Sequence, residues 1–158
     1  MQEIDFGHAA LHDESERKKI LCVVPARSGS QAVKHKNIRD FMGKPLLAHS
    51  ISQARQSKHF ENMRIIVSTD SSHYAAIARE HGAECPFLRP SELSGPLSTD
   101  LECMQHCLKW LKCNENYAPD FVLQLRPTQP LRTIADIDTC IDIFKRNRHM
   151  YDSLRSVV

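Results

Sequence analysis

Short continuous apolar runs alternate along this chain with apolar residues at helical spacing, and that alternation predicts strands and helices in turn. Ile20-Leu21-Cys22-Val23-Val24 is an unbroken apolar run closed by Pro25, as expected of a strand buried on both faces of a parallel sheet. Residues 26–44 form a polar stretch that repeats at neither the helix nor the strand period. Pro45 opens a helix whose apolar face carries Leu46, Leu47, Ile51 and Ala54. A second strand is predicted over residues 63–67, and Ser71 or Ser72 caps a helix with Ala75, Ala76 and Ala78 that stops at Gly82. Residues 83–88 read as a short third strand, followed by a loop with two prolines and a glycine. A helix beginning near Ser98 or Thr99 has Leu101, Met104, Leu108 and Leu111 on one face. Residues 121–125 form a strand, Pro127 and Pro130 punctuate another loop, and the last helix spans about Thr133 to Arg146. Residues 152–158 read as a fifth strand. The order implies βαβ units and a mostly parallel sheet in a three-layer α/β sandwich. Ligands of such sheets bind at the carboxyl ends of the strands, here those finishing at Val24, Val67 and Leu125.

Residues 1–19 lack apolar periodicity and read as a flexible N-terminal extension to a single domain over residues 20–158. The 21 basic residues are nearly balanced by 19 acidic ones, so no nucleic-acid partner is expected. No apolar stretch approaches the roughly 18–20 residues that cross a bilayer, and the N-terminus lacks a signal peptide's layout. The expectation is a cytoplasmic protein with no membrane partner. The six cysteines are scattered through predicted strands and helices and read as free thiols. Cys103, His106 and Cys107 invite a metal reading, but they lack the paired CxxC spacing of a zinc site, and no metal ligand set is assigned.

The first loop concentrates the chemistry. Arg27, Ser28, Gly29, Lys34 and Lys36 follow directly on a buried strand. Small residues let backbone N–H groups approach phosphate oxygens, Arg can fork two of them, and Lys adds a compact charge. The loop is neither a Walker A sequence nor a GxGxxG fingerprint, and from the residues alone a solvated basic loop stands equally open.

This loop resembles that of the CMP-sialic acid synthetase (acylneuraminate cytidylyltransferase) family, whose pattern is close to P-A-R-x-G-S-K-G-x-x-x-K-N. Four further segments agree in order and spacing: Gly43-Lys44-Pro45-Leu46-Leu47, Val67-Ser68-Thr69-Asp70, Leu88-Arg89-Pro90-Ser91-Glu92-Leu93, and Pro127-Thr128-Gln129-Pro130-Leu131-Arg132 followed by Asp136-Ile137-Asp138. The resemblance implies a Rossmann-like nucleotidyltransferase fold. In it the anomeric hydroxyl of an acidic nine-carbon 2-keto sugar attacks the α-phosphate of CTP, with Mg²⁺ as cofactor and pyrophosphate leaving. It implies that Arg27 and Lys36 are the catalytic, phosphate-binding cations. Ala26, Ser28, Asn37, Arg89, Ser98 and Asp100 complete the nucleotide site, with Arg89 at the cytidine pocket, while Arg126 and Thr128 face the sugar. A homodimer is also implied.

Departures from the family pattern carry expectations of their own. Gln31 stands where the family has Lys, and Ala32 where it has Gly, which removes one cation and leaves the backbone less free to adopt positive φ. Asp100 places an acid where a hydroxyl is usual, and Arg126 replaces a Gln, a cation able to grip a carboxylate. Asp70 reads as a helix cap, and Asp136 and Asp138 as first-turn residues of the last helix. Family members continue for several dozen residues into a segment with dimer contacts, sugar contacts and two metal-binding aspartates. The resemblance therefore implies an incomplete C-terminus and slow or absent turnover by these residues alone.

Overall fold

The computed structural model describes residues 18–156. Strand β1 (Ile20–Pro25) leads into a loop with one turn of 3₁₀ helix at Lys36–Ile38, then a hairpin of β2 (Asp40–Phe41) and β3 (Lys44–Pro45). Helix α1 (Leu46–Gln56) returns the chain to β4 (Met63–Ser68), and α2 (Ser72–Glu80) follows. Helix α3 (Asp100–Glu115) precedes β5 (Phe121–Gln124), and α4 (Ile134–Asn147) follows it. The sheet has the order β4-β1-β5, with both pairings parallel.

Local sequence explains where these helices begin. Ser71 Oγ accepts the Tyr74 N–H at the start of α2. Thr99 with Glu102, and Thr133 with Asp136, form reciprocal capping boxes on α3 and α4, each satisfying two otherwise orphaned donors. Gly82, at φ +88, supplies the left-handed residue that ends the turn after α2.

Side chains alternate across β1 and divide the core in two. Ile20, Cys22 and Val24 pack with Leu47, Ile51, Ala78, Ile137 and Ile141 from α1, α2 and α4. Leu21 and Val23 pack with Ile66, Phe87, Cys103, Cys107 and Leu111, so among the described helices α3 covers the opposite face. The result is the expected three-layer sandwich. All five apolar residues of β1 are fully buried, each worth about 1.5–3 kcal/mol for an aliphatic side chain. Burial also pushes the Cys22 thiol up to about 12, against the opposing charge of Arg132. All six cysteines are unpaired. Trp110 packs beside Phe87, with ring centroids 5.2 Å apart, as its apolar neighbours predict.

Several expectations are corrected. Residues 83–88 form a single parallel bridge, Ile66 to Glu84, rather than a strand. Pro86 has no N–H to extend the ladder. The stretch 26–44 is more ordered than its lack of periodicity predicts, because Met42 (φ 51) and Gly43 (φ 84) turn a two-residue hairpin. Residues 152–156 are exposed and not part of a strand, while Val157 and Val158 lie outside the described residues. Residues 1–17 of the expected extension also lie outside them. Lys19 is tied down: its N–H donates to Asp120 Oδ2 at 2.7 Å, and its carbonyl accepts the Asp120 N–H at 2.8 Å. Among the described residues no helix is long and apolar enough to cross a membrane.

Candidate functional site

The carboxyl ends of β1, β4 and β5 carry the loops that hold the candidate residues, and those loops are bonded to one another. Ala26 is buried and contributes through its backbone, donating its N–H to the Ser68 carbonyl at 2.9 Å. The Arg27 carbonyl accepts a hydrogen bond from buried Asn37 Nδ2 at 3.0 Å. Ser28 donates its N–H to Asp70 Oδ1 and its hydroxyl to Asp70 Oδ2, both at 2.7 Å. The first turn of this loop is therefore fixed from three directions by residues 10 to 42 positions away in sequence. Arg27, Ser28 and Asn37 lie together in this loop, with Asn37 acting as a brace on it.

Arg27 reaches across to the next loop, where its guanidinium donates to the Gly95 carbonyl. Lys36 is half-buried in the 3₁₀ turn and makes no ion pair among the described residues. Lys34 is exposed. Arg89 is 6% exposed. Its guanidinium donates to Ser68 Oγ at 3.2 Å and to the Ser68 and Leu93 carbonyls. The Ser68 carbonyl thus serves both Ala26 and Arg89, joining the first and third loops through the end of β4. Ser98 is half-buried and donates to the Glu92 carbonyl at 3.4 Å.

On the far side, Asp100 and Arg126 meet. Asp100 Oδ2 accepts from Arg126 Nε and from Gln124 Nε2, each at 2.6 Å. Asp100 is the first residue of α3, where the helix N-terminus favours its charge. Thr128, two residues after Arg126, is exposed. The loop after β5 is held by Arg132, which donates to Ser50 Oγ, Gln53 Oε1 and the Arg126 carbonyl. Gln53 in turn donates to the Pro130 and Arg132 carbonyls at 2.7 and 2.9 Å.

Three sequence expectations are corrected here. Asp70 is no helix cap, since Ser71 fills that place; Asp70 instead holds Ser28. Ala32 does not adopt positive φ; the left-handed residue of this loop is His35, at φ 55, so the replacement of glycine costs no backbone strain here. Asp136 is the capping-box residue of α4 as expected. Asp138 lies beyond the first turn and accepts the Ser57 hydroxyl at the end of α1. The sequence reading also missed Gly95, Gln124, Arg132 and Gln53. Only Arg132 lay inside a motif, and the contacts of the others cross 24 to 79 positions.

Gly29 separates fold from ligand. A Cβ there would meet nothing within 4 Å, and its φ is not left-handed, so neither packing nor backbone conformation demands glycine. Bare backbone at an open loop leaves room for a close guest. No three His, Cys, Asp or Glu side chains among the described residues converge on a possible metal position. Asp70 and Asp100, the two acids of the site, are engaged by Ser28 and by Gln124 and Arg126. Cys103 and Cys107 lie together beneath Arg89. The Cys107 hydrogen bond, and less so the Arg89 charge, lower Cys103 against the effect of burial. His106 turns away to Phe87, with ring centroids 4.8 Å apart.

In an open parallel α/β sheet the loops at the carboxyl edge are where ligands bind. The structure superimposes on a CMP:2-keto-3-deoxy-manno-octonic acid synthetase complexed with CTP, with a TM-score of 0.68 over 83% of this chain and 49% of that one. At 18% identity this likeness shows the fold alone. Residues 21–158 match the family model described as Cytidylyltransferase, and the chain belongs to that family. It is 38% identical to the N-acylneuraminate cytidylyltransferase of Escherichia coli O18:K1:H7 over 82% of this chain and 29% of that protein. It is also 38% identical to the pseudaminic acid cytidylyltransferase of Campylobacter jejuni serotype O:23/36, over 72% of this chain and 47% of that one. The chain thus spans less than half the length of either relative.

Proposed function

We propose that this chain carries the nucleotide-binding part of a cytidylyltransferase that transfers CMP from CTP to an acidic nine-carbon sugar of the N-acylneuraminate type, releasing pyrophosphate. The observation that carries this reading is the loop after β1. It is pinned by Ser68, Asn37 and Asp70, its Gly29 faces open space, and it sits between Arg27 and Lys36, two cations that no carboxylate among the described residues neutralises. Such an arrangement suits a polyanion, because preorganised donors and cations stabilise phosphate charge without reorganising as it shifts.

In this mechanism Arg27 and Lys36 hold the triphosphate and offset charge as the bond from the α-phosphorus to the bridging oxygen of pyrophosphate breaks. Asn37 keeps the Arg27 peptide in place, and Arg89 holds the end of β4 under the nucleotide. Asp100 and Ser98 border the base, and Arg126 with Thr128 borders the sugar, where a carboxylate would compete with Asp100 for the Arg126 guanidinium. Mg²⁺ belongs to the proposal as a charge-neutralising partner of the phosphates. The described residues supply no ready cage for it, so no step is assigned to it here. Names of the relatives point to N-acylneuraminate and pseudaminate alike, and the choice between such acids rests with the Arg126 side of the site. Calorimetric titration with CTP, UTP, ATP and GTP tests the reading. Preference for CTP is expected, and equal binding of all four rejects the cytidine assignment.

A further inference from the structure

Ser28 is the residue whose N–H and hydroxyl the loop would offer to a phosphate, yet both are already taken. The Asp70 carboxylate receives them one oxygen apiece, each at 2.7 Å. A carboxylate that accepts from a backbone N–H and an adjacent hydroxyl presents two oxygens to two donors much as an O–P–O edge of phosphate does. Among the described residues the carboxylate accepts no other hydrogen bond. Helix α2 is capped by Ser71, and Asp70 forms no ion pair among the described residues. Its charge is felt nearby: after burial, it is the second cause that raises the Tyr74 hydroxyl. Next to this pair lies Gly29, with open space where a Cβ would stand.

We infer that Asp70 is an internal stand-in for phosphate, a positioning residue that keeps the Ser28 donors aligned in the empty site and yields them when a phosphate group arrives. The inference rests on the phosphate-loop reading above and adds a regulating element to it. A carboxylate beside an incoming phosphate is also a like charge, so Asp70 raises the threshold for weak anions. A triphosphate, with Arg27 and Lys36 to engage at the same time, can displace it.

The alternative is that Asp70 is only a latch that keeps the loop folded, and the two readings differ in sign. Inorganic pyrophosphate titrated into this chain and its variants separates them. As a stand-in, Asp70→Asn removes the competing charge while keeping one acceptor oxygen, and pyrophosphate binds about tenfold tighter. Ser28→Ala introduced into Asp70→Asn abolishes most of that gain. In the unaltered chain the Ser28 amide resonance shifts on saturation with pyrophosphate, as its hydrogen bond changes partner. Equal or weaker binding by Asp70→Asn, an unmoved Ser28 amide at saturation, or no binding by either protein would overturn the inference. Preference among the four nucleoside triphosphates, measured separately, bears on the CTP reading and leaves the Asp70 result independent.

Discussion

The two ends of the central sheet treat charge in opposite ways. At the amino end, an open cavity of about 540 Å³ is lined by Lys19, Phe60, Arg64, Glu84 and Tyr117 among others. Its central cation is already satisfied: Arg64 forms ion pairs with Glu84 and Glu115 and lies over the Tyr117 ring, 5.1 Å from its centroid. The Glu84 hydrogen bond raises its pKa further. At the carboxyl end Arg126 is paired with Asp100, but among the described residues the basic side chains of the first loop find a carbonyl, as Arg27 does, or no ion-pair partner, as with Lys36. A cation already paired with carboxylates has little to gain from an anionic ligand, whereas an uncompensated one does. The hollow at the amino end offers space but no uncompensated cation, whereas the first loop offers uncompensated cations. On the proposed reading, the comparison favours the loops over the hollow as the place for an anionic ligand.

Substitutions at the two ends should therefore separate binding from stability. The largest effect is expected from Arg27→Ala, which should weaken CTP by about 2–3 kcal/mol in calorimetry, the scale of a lost charge-assisted contact. Its unfolding midpoint in urea should change little. Arg64→Ala should do the reverse. A loss of about 1 kcal/mol of stability is expected for a pair network this close to solvent, with CTP affinity unchanged. If both substitutions affect both properties, the separation of the two ends fails.

Acidification gives a second test of the amino end. The Arg64 hydrogen bond holds Glu115 below its ordinary value of 4.5. A carboxylate depressed by folding contributes stability above its unfolded pKa and loses it as pH falls through the folded one. The unaltered chain should lose more stability than Arg64→Ala when urea unfolding is compared at neutral pH and below the ordinary carboxylate range. Identical losses would show that the clamp is inert.

Smaller effects sharpen the picture of the first loop. Gly29→Ala should leave the melting temperature unaltered, since nothing lies within 4 Å of the new methyl group, yet weaken CTP several-fold if phosphate approaches there. A drop in melting temperature with unchanged affinity would mean that the glycine serves the fold. Lys34→Ala, at an exposed position, should have the least effect on CTP, well below that of Arg27→Ala.

Much of the scaffold was legible because it depends on local periodicity. The run 20–24 became the fully buried central strand, and a helix expected over about 133–146 is observed at Ile134–Asn147. The β2–β3 hairpin escaped because two-residue strands carry no period, and the bridge at Glu84 fell short of a strand because of Pro86. In the candidate site the residue types of the first loop were legible, but their partners were not. Ser28 and Asp70 are 42 positions apart, and Asp100 and Arg126 are 26 apart. Asp70 looked like a cap because its neighbourhood of serines is what a helix start requires. Ser71 filled that role and left the carboxylate for Ser28.

The central claim, that the carboxyl-edge loops bind a cytidine triphosphate, is tested most directly by titrating CTP into this chain and into Arg27→Ala under identical conditions, with UTP, ATP and GTP alongside. The account predicts measurable binding that favours CTP and falls by one to two orders of magnitude without Arg27. Binding that ignores both the base and the Arg27 substitution would contradict it.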